Sequence, residues 1–401
     1  MAPPLAPDGI HLIRRVVLVI LVLFALVQQS SAVYNVVNYG AKPDGRTNST
    51  LAFSRAWTAA CSSLVPATLY VPKGIFMVGA IAFRGPCRSR IMFQLTGTLI
   101  ASSNYWSLGN SEDWILFHYV NRISIYGGGT VNAQGTTYWS CRMAGKSCPD
   151  PAKSISIQRS SNVFLSGLTS VNSKMFHIFV SRSANVRIHG VKLHAPSWSP
   201  NTDGIHIQNS KGVTVTSSLI KTGDDCISMG PGSKNIWIDA VTCGPGHGIS
   251  IGSLGQAANE DGVQNVTVMN SILTGTQNGV RIKTWARAYT GYVTSVSFRN
   301  IVMRSVFNPI IIDQDYCPNN NNCPSQSSGV KISGVVFKNI KGTSATQVAV
   351  SFMCSSTNPC RGIKLQDINL SHYNKKITTT SSCQYAVGSS SGTVLPRSCL
   401  V

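Results

Sequence analysis

The stretch "NTDGIHIQNSKGVTVTSSLIKTGDDCISM", from Asn201 to Met229, contains short runs in which apolar and polar residues alternate. One run, "GIHI", follows Asp203, and another, "GVTVT", begins at Gly212. Alternation with a period of two is typical of half-buried β-strands, and the glycines, asparagines and serines between the runs are typical of turns. The stretch therefore predicts short strands joined by turns.

The second of these runs belongs to a repeat. A small or amide residue, a β-branched residue, a polar position and a further apolar position recur eight times, with successive starts 23 to 34 residues apart. Such a period predicts an all-β solenoid, a parallel β-helix in which each coil stacks on the previous one. The alternative, a β-sandwich, would require eight matches by chance. The repeats are "NVFLSGL" at Asn162, "NVRIHGV" at Asn185, "GVTVTSS" at Gly212, "NIWIDAV" at Asn235, "NVTVMNS" at Asn265, "SVSFRNI" at Ser295, "GVKISGV" at Gly329 and "GIKLQDI" at Gly362.

A second column of runs is in phase with the first. Neighbouring strands of a sheet lie about 4.8 Å apart, so equivalent residues of successive coils should stack. Asp203, Asp225 and His247 begin three of these runs and are 22 residues apart each time, which predicts that they stack on one face. The runs are "DGIHI" at Asp203, "DCISM" at Asp225, "HGISI" at His247, "NGVRI" at Asn278 and "NPIII" at Asn308.

Alternation within this column divides the side chains between core and surface. The aliphatic residues should point inward, and the residues between them should line a groove with a floor of small side chains under two cations. The segment 253–264 is a candidate wall, and Trp285, Tyr289 and Tyr292 are candidates for sugar stacking. The inward set is Ile205, Ile207, Ile227, Met229, Ile249, Ile251, Val280 and Ile282; the outward set is His206, Gln208, Ser228, Gly230, Ser250, Gly252, Arg281 and Lys283.

Asp224 and Asp225 form an adjacent acidic pair in a chain with only 14 acidic residues. Two neighbouring carboxylates repel each other, so each is expected to raise the pKa of the other. Together with Asp203 they could supply the carboxylic acid and the carboxylate that glycosidic hydrolysis requires, with His247 tuning the proton. A calcium site or a solvated turn is the alternative explanation.

The amino terminus predicts secretion. Arg14 and Arg15 precede an apolar run from Val16 to Val27, and small residues follow, which is typical of a signal peptide over residues 1–32. Residues 33–401 then form a single β-helix domain. An uncleaved anchor is the alternative, but twelve apolar residues fall short of the ~20 that a membrane span needs.

The cysteines and sequons agree with an extracellular protein. The chain has 12 cysteines without a paired CxxC spacing, which favours disulfides in an oxidising compartment. Proximity in the sequence predicts four pairs: Cys226–Cys243, Cys317–Cys323, Cys354–Cys360 and Cys383–Cys399. Three N-glycosylation sequons lie at Asn48, Asn265 and Asn369.

The formal net charge of +20 predicts a polyanionic partner. Lysines and arginines are dispersed along a chain that should be secreted, which favours an acidic polysaccharide over nucleic acid or a membrane. A basic surface that serves only solubility is the alternative.

One helix is predicted, near the amino end. The segment "NSTLAFSRAWTAAC" offers capping residues from Asn48 to Thr50 and places Phe53, Trp57 and Ala60 on one helical face. A solenoid needs its open ends covered, so this helix should cap the first coil.

Four motifs together resemble those of the polygalacturonases, which are inverting pectin hydrolases, and most of all the plant branch. They are "NTDG" at 201–204, "GDD" at 223–225, "GHG" at 246–248 and "RIK" at 281–283, and the resemblance extends from "VVNYGAKPDG" near Val36 to the carboxy terminus. It implies a right-handed β-helix of about ten coils, a monomer in the cell wall, no metal or other cofactor, and hydrolysis of α-1,4 links between galacturonates.

The resemblance also implies roles for individual residues. Asp224 would be the general acid, Asp203 and Asp225 would position the attacking water, and His247 would influence the protonation of the acid. One departure is the bulky Trp198 in "APSWSP". The implied substrate contacts are Asn201, Arg281, Lys283 and Tyr316.

Other activities on the same fold stay open from the sequence. A pectate lyase would eliminate across the bond, usually with calcium and a basic arginine, whereas this chain offers an acid pair. A rhamnogalacturonan or xylogalacturonan hydrolase would differ in its loops. An inactive wall-binding protein would not need Asp203, Asp224, Asp225 and His247.

Overall fold

The computed structural model describes residues 31–108, 111–318 and 321–401, so residues 1–30 of the predicted signal peptide lie outside the described residues. Within those ranges there are two α-helices, α1 (Thr50–Cys61) and α2 (Thr136–Met143), and two 3₁₀ turns, Val36–Tyr39 and Tyr105–Leu108. No helix in the described part of the chain has the length and hydropathy needed to cross a bilayer.

The remaining regular structure consists of β-strands. In chain order, strands β1 to β16 are Ala32–Asn35, Asp44–Asn48, Ala67–Val71, Ile75–Met77, Ile81–Arg84, Ile91–Leu95, Thr98–Ile100, Asp113–His118, Asn121–Tyr126, Thr130–Asn132, Lys153–Gln158, Ser161–Ser166, Thr169–Val171, Ile178–Ser181, Ala184–His189 and Lys192–His194.

Strands β17 to β33 complete the chain. They are Ile205–Gln208, Lys211–Thr216, Leu219–Lys221, Ile227–Met229, Lys234–Asp239, Thr242–Cys243, Ile249–Leu254, Val263–Met269, Ile272–Thr274, Asn278–Trp285, Gly291–Val306, Asn308–Tyr316, Val330–Ser344, Val348–Met353, Cys360–His372, Thr380–Gln384 and Ala386–Leu395.

The strands stack in parallel columns that wind around one core. One coil consists of β12, β13 and β14, and these pair in parallel with β15, β16 and β17 of the next coil. Among the described residues, one sheet has 22 strands and a second sheet has 11, one for each coil. The predicted right-handed parallel β-helix of about ten coils is confirmed.

The core lies inside the coil. Ile205, Ile227, Ile249 and Val280 stand in register on four successive strands of the second sheet and are fully buried, as predicted. Burying an aliphatic side chain of this size contributes about 1.5–3 kcal/mol. Each added coil therefore extends the core by another layer of the same kind.

The amide residues of the repeat lie at the beginning of strands, as Asn162 does in β12 and Asn185 in β15. Asn162 and Asn185 have φ of 54° and 55°, in the left-handed region that asparagine and glycine adopt most readily. Their side chains also stack: the Asn185 amide donates to Asn162 Oδ1 at 3.2 Å, and the Asn162 amide donates to Asn121 Oδ1 at 2.8 Å. The repeat uses asparagine because one residue meets both needs.

A similar stack, the amide ladder of Asn270, Asn300 and Asn339, lies on the first sheet. Asn339 donates to Asn300 Oδ1 at 3.0 Å, and Asn300 donates to Asn270 Oδ1 at 3.1 Å. All three residues have positive φ, between 49° and 56°. Each internal amide therefore donates to one coil and accepts from the next.

Helix α1 covers the first coil, as predicted. It buries Phe53 and Trp57 on its inner face, and the Trp57 indole donates to the Arg84 carbonyl at 2.9 Å. The capping detail differs from a simple N-cap. Ser49, at the cap position, makes no side-chain cap bond, and the Asn48 side chain accepts from the Thr50 amide at 3.0 Å instead.

All twelve cysteines form disulfides, and the four predicted pairs are confirmed. Two further bonds were not predicted, Cys61–Cys87 at the end of α1 and Cys141–Cys148 at the end of α2. Both lie in the part of the chain that precedes the first repeat at Asn162.

Candidate active site

The predicted stack of polar residues exists at the edge of the second sheet. Asp203, Asp225 and His247 each stand two residues before the first residue of their strands, β17, β20 and β23. The backbone holds the three coils together there: the Gly204 amide donates to the Asp225 carbonyl at 2.9 Å, and the Cys226 amide donates to the Gly248 carbonyl at 2.8 Å. Three coils thus deliver one functional side chain each to the same place.

Asp225 is the most constrained of the aspartates, with a side chain 1% exposed. Its Oδ1 accepts from Arg281 Nη2 at 2.9 Å and from the Ser250 hydroxyl at 2.8 Å, and its Oδ2 accepts from Lys283 Nζ at 2.8 Å. Burial alone would raise the pKa of Asp225, but Lys283 and Arg281 lower it to about 2. The expectation that the pKa of Asp225 is raised is therefore wrong, because the two cations outweigh the effect of burial.

Asp203 is buried without such cations on its oxygens. The Ser228 hydroxyl donates to its Oδ2 at 2.6 Å. Burial, followed by the charges of Asp224 and Asp225, holds the pKa of Asp203 well above its ordinary value. A carboxylate of higher pKa is the stronger base, so Asp203 is better suited than Asp225 to take a proton.

Asp224 is the aspartate that reaches the groove, with a side chain 18% exposed. Its Oδ1 accepts from the Asp225 amide at 2.8 Å and lies 3.0 Å from His247 Nδ1. Its Oδ2 accepts from the Asn201 side-chain amide at 3.4 Å. The carboxyl is thus held at both oxygens while it keeps access to a ligand.

The alternation pattern predicted that Arg281 and Lys283 face solvent above the groove floor. In the structure, both side chains are buried. Each is 7% exposed and binds Asp225, and Arg281 also donates from Nε to the Ser250 hydroxyl at 3.0 Å. Burial alone would lower the pKa of Lys283, but Asp225 raises it above its ordinary value. The lysine therefore stays charged, and its ion pair fixes its position.

Tyr316 lies beside these cations. Its ring centroid is 5.1 Å from Lys283 Nζ and 5.8 Å from Arg281 Cζ. Trp285 contacts the same ring edge-on, with 5.5 Å between centroids. Of the other aromatic candidates, Tyr292 donates its hydroxyl to Gln264 at 3.1 Å, within the fold.

Two cavities flank the aspartates. One, of about 540 Å³, is lined by Lys153, Phe176 and His206 among others; the segment 253–264 contributes to it, as its predicted role of wall requires. The other, of about 420 Å³, is lined by residues that include His247, Arg281 and Tyr316.

Helix α2 explains the departure at Trp198. The Trp198 ring packs edge-on against the buried Trp139 of α2, with 5.5 Å between centroids, and is 51% exposed. A third cavity, of about 140 Å³, lies between Tyr138 of the same helix and Asn201. The bulky tryptophan therefore joins α2 to the segment that carries Asn201.

The acidic pair also raises the question of a metal. Ligand atoms of Asp224, Asp225 and His247 lie within 4.8 Å of one another. Calcium prefers six to eight oxygen ligands, and here one ligand is a nitrogen while both oxygens of Asp225 already accept from Arg281 and Lys283. The donor set fits calcium poorly.

Sequence reasoning placed Ser228 and Ser250 on the groove floor but missed their contacts. Ser228 donates to Asp203 and Ser250 donates to Asp225, each from the adjacent coil. The signal was present, since both serines follow the aspartates by 25 residues, about one coil.

A groove on a parallel β-helix, with one accessible carboxyl and one buried carboxyl of raised pKa, is equipped for acid–base cleavage of a glycosidic bond. The sequence model of the glycosyl hydrolases family 28 matches residues 61–392, so the chain belongs to this family of glycoside hydrolases.

Individual relatives agree. The chain is 51% identical over 373 residues to a polygalacturonase of Prunus persica, covering 92% of this chain and 94% of that protein. It is 42% identical over 373 residues to an exopolygalacturonase of Platanus acerifolia, covering 92% and 98%. The solved endo-xylogalacturonan hydrolase of Aspergillus tubingensis superposes with a TM-score of 0.77 at 21% identity, covering 90% and 100%, and this likeness supports the fold alone.

Proposed function

We propose that this glycoside hydrolase cleaves the α-1,4 links between galacturonate residues of pectin, with inversion at the anomeric carbon. The observation that carries the proposal is the separation of three neighbouring carboxyls into different environments. Asp225 is neutralised by two cations, Asp203 is buried with a raised pKa, and Asp224 is accessible. The net charge of +20 suits an acidic substrate.

In the proposed reaction, Asp224 gives its proton to the glycosidic oxygen as the bond from that oxygen to the anomeric carbon breaks. A water held by Asp203 and Asp225 attacks the opposite face of the same carbon, and its proton passes to Asp203. His247, 3.0 Å from Asp224, would influence when the acid holds its proton. One bond forms as one breaks, and the proton count is unchanged.

Arg281 and Lys283 can bind a galacturonate carboxylate while they remain paired with Asp225. Arg281 uses two of its five N–H groups, on Ser250 and Asp225, and Lys283 uses one of its three. The remaining donors are available for the substrate. Asn201 contacts Asp224, and Tyr316 lies beside the two cations. These two residues complete the proposed set of substrate contacts.

Secretion to the cell wall as a monomer is part of the proposal. Complete pairing of the cysteines supports an oxidising destination. Asn48, Asn265 and Asn369, the sequon asparagines, are exposed and so accessible to glycosylation.

The test is incubation of the protein with de-esterified polygalacturonate plus a chelator, following new reducing ends and the ultraviolet absorbance of unsaturated products together. We expect reducing ends without absorbance, and their absence in the matched Asp224→Asn variant. Absorbance that chelation abolishes would mean a lyase. Silence in both assays would favour a wall-binding protein, or a rhamnogalacturonan or xylogalacturonan hydrolase, which those substrates would reveal.

Methyl-esterified polygalacturonate provides a second test of the substrate. The ester removes the negative charge that Arg281 and Lys283 would bind, so we expect a lower kcat/KM on the fully esterified polymer. Equal values on both polymers would contradict the proposed roles of the two cations.

A further inference from the structure

His206 lies beside the proposed catalytic aspartates, in the outward column, and the mechanism above does not use it. Its Nδ1 is 2.7 Å from the Ser228 hydroxyl, and that hydroxyl donates to Asp203 Oδ2 at 2.6 Å. His206 itself is 4.0 Å from the same carboxylate oxygen, too far for a direct hydrogen bond. Ser228 therefore joins the imidazole to the carboxylate.

The hydrogen inventory fixes the direction of this chain when Asp203 is ionised. A carboxylate can only accept, so the single Ser228 hydrogen points to Asp203, and the Ser228 oxygen must accept from His206 Nδ1–H. His206 Nε2 must then accept in turn. It lies 3.3 Å from Gln208 Oε1, which itself only accepts, so this tautomer requires the Gln208 side-chain amide to turn over and present its N–H to Nε2.

Two aromatic rings fix the orientation of the His206 imidazole. Its ring stacks on Phe176 with 4.5 Å between centroids and 17° between planes, and on Phe179 at 5.7 Å and 22°. Burial lowers the pKa of His206 to about 4, so the ring is neutral above that pH. A neutral imidazole has one N–H, and while Asp203 is ionised that N–H is the one on Nδ1, 2.7 Å from the Ser228 hydroxyl.

We propose that His206 is a positioning residue that acts through Ser228 to hold Asp203 as the ionised base. The inference rests on the role proposed above for Asp203. Without the imidazole, the Ser228 hydroxyl would be free to rotate away from the carboxylate.

Several charges face this chain, and their balance gives the sign of the effect. Asp224 and Asp225 favour the protonated form of Asp203, while Lys283 favours its ionised form. Lys283 and Lys153 disfavour a charged His206, while Asp225 favours it. A hydrogen bond donated to a carboxylate stabilises the ionised form, so loss of the chain should raise the pKa of Asp203.

The experiment measures the pH profile of kcat/KM on polygalacturonate for a set of variants. His206→Phe keeps a flat ring against the two phenylalanines but removes the donor, and Ser228→Ala removes the bridge. We expect each to move the acidic limb upward by about one pH unit, the size of one charge-assisted hydrogen bond. Because the two residues form one chain, the double variant should shift no further than Ser228→Ala alone.

Two matched substitutions separate positioning from mere packing. The amide of His206→Asn can place an N–H where Nδ1 lies, so it should restore the acidic limb, whereas His206→Gln places its amide near Nε2 and should not. The control is His189→Phe, because His189 Nδ1 lies 2.8 Å from the Thr216 hydroxyl on the other sheet, outside the groove. This variant should keep the wild-type profile.

The outcomes are distinguishable from failure of the proposed function. Full activity in Asp203→Asn would remove Asp203 from the reaction. Inactive Asp203→Asn with an unshifted limb in folded His206→Phe would leave the reaction intact and overturn the role of His206. Equal profiles for His206→Asn and His206→Gln, or additive shifts in the double variant, would also overturn it.

Discussion

The amide ladder on the first sheet and the carboxylate stack in the groove arise from the same coil geometry but solve different problems. In the ladder, Asn300 donates to one neighbour and accepts from the other, so identical residues satisfy one another. A carboxylate only accepts, and stacked copies repel. Repetition alone stabilises the first stack and would destabilise the second.

The groove compensates by adding different donors to each carboxylate. Asp225 receives two cations and a serine, whereas Asp203 receives a serine alone on its Oδ2. Their pKa values consequently move in opposite directions from similar depths of burial. Two aspartates at equivalent positions of successive coils can thus have different pKa values, because the neighbouring coils supply different hydrogen-bond donors and charges.

The largest effect is expected where the stack meets the substrate. Asp224→Asn keeps the size and the hydrogen-bond capacity of the side chain but cannot donate a proton of comparable acidity. Loss of a general acid lowers kcat by about 10²- to 10⁴-fold, while KM should change little. Steady-state kinetics on polygalacturonate measures both. Turnover near the wild-type value would remove Asp224 from the proposed mechanism.

A large loss of stability is expected when one of the cations paired with the buried Asp225 carboxylate is removed. Lys283→Met leaves a buried carboxylate short of one cation, and breaking a buried ion pair costs about 3–5 kcal/mol. Urea unfolding measures the free energy of unfolding. Lys338→Met, which alters an exposed lysine on the first sheet, is the control and should change it by less than about 0.5 kcal/mol. Equal costs would contradict the contrast between the two faces.

The two buried aspartates should give opposite dependences of stability on pH. Asp225 has a lowered pKa, so its contribution is present above about pH 4 and is lost as the pH falls through about 2. Asp203 has a raised pKa, so the folded state keeps a proton that the unfolded state releases, and stability declines as the pH rises above about 4.

Asp203→Asn should remove that decline. Relative to wild type, its free energy of unfolding should increase between about pH 4 and pH 7, whereas that of Asp225→Asn should be lower than wild type at neutral pH. Urea titrations across this range measure both. Parallel pH profiles for the two variants would show that Asp203 and Asp225 have similar environments, which would contradict the structure.

The smallest effects are expected in the amide ladder. Asn300→Gly keeps the left-handed backbone and removes two side-chain hydrogen bonds on an exposed surface, at a cost of about 1 kcal/mol. Asn300→Ala adds the strain of a positive φ, a further ~1 kcal/mol. Thermal and urea unfolding compare the pair. Equal stability would mean that the backbone conformation does not select asparagine here.

The fold and the positions of the site residues could be predicted because they are periodic. The 22-residue spacing of Asp203, Asp225 and His247 converts directly into stacking once coils are assumed. The electrostatics could not be predicted in this way. Arg281 and Lys283 are 56 and 58 residues from Asp225, and their contact with it becomes evident only when the coils are in register.

The features missed from the sequence lie where the period is interrupted. Helix α2 has no equivalent in the repeat, and its tryptophan, Trp139, meets Trp198 across a long interval of sequence. Likewise, the sequence does not show which side chains the Ser228 hydroxyl binds. Its contacts with His206 and Asp203 become evident only from the distances in the structure. Alternation gives the direction of a side chain and not its partner.

The disulfides have a consequence for how the chain is made. The six bonds join cysteines only 6 to 26 residues apart, so each pair is present soon after its second cysteine is synthesised. No cysteine has to wait for a partner at the far end of the chain. Oxidation can therefore follow translation coil by coil. At each stage few unpaired cysteines are present, so there are few wrong partners with which a new cysteine could form a disulfide.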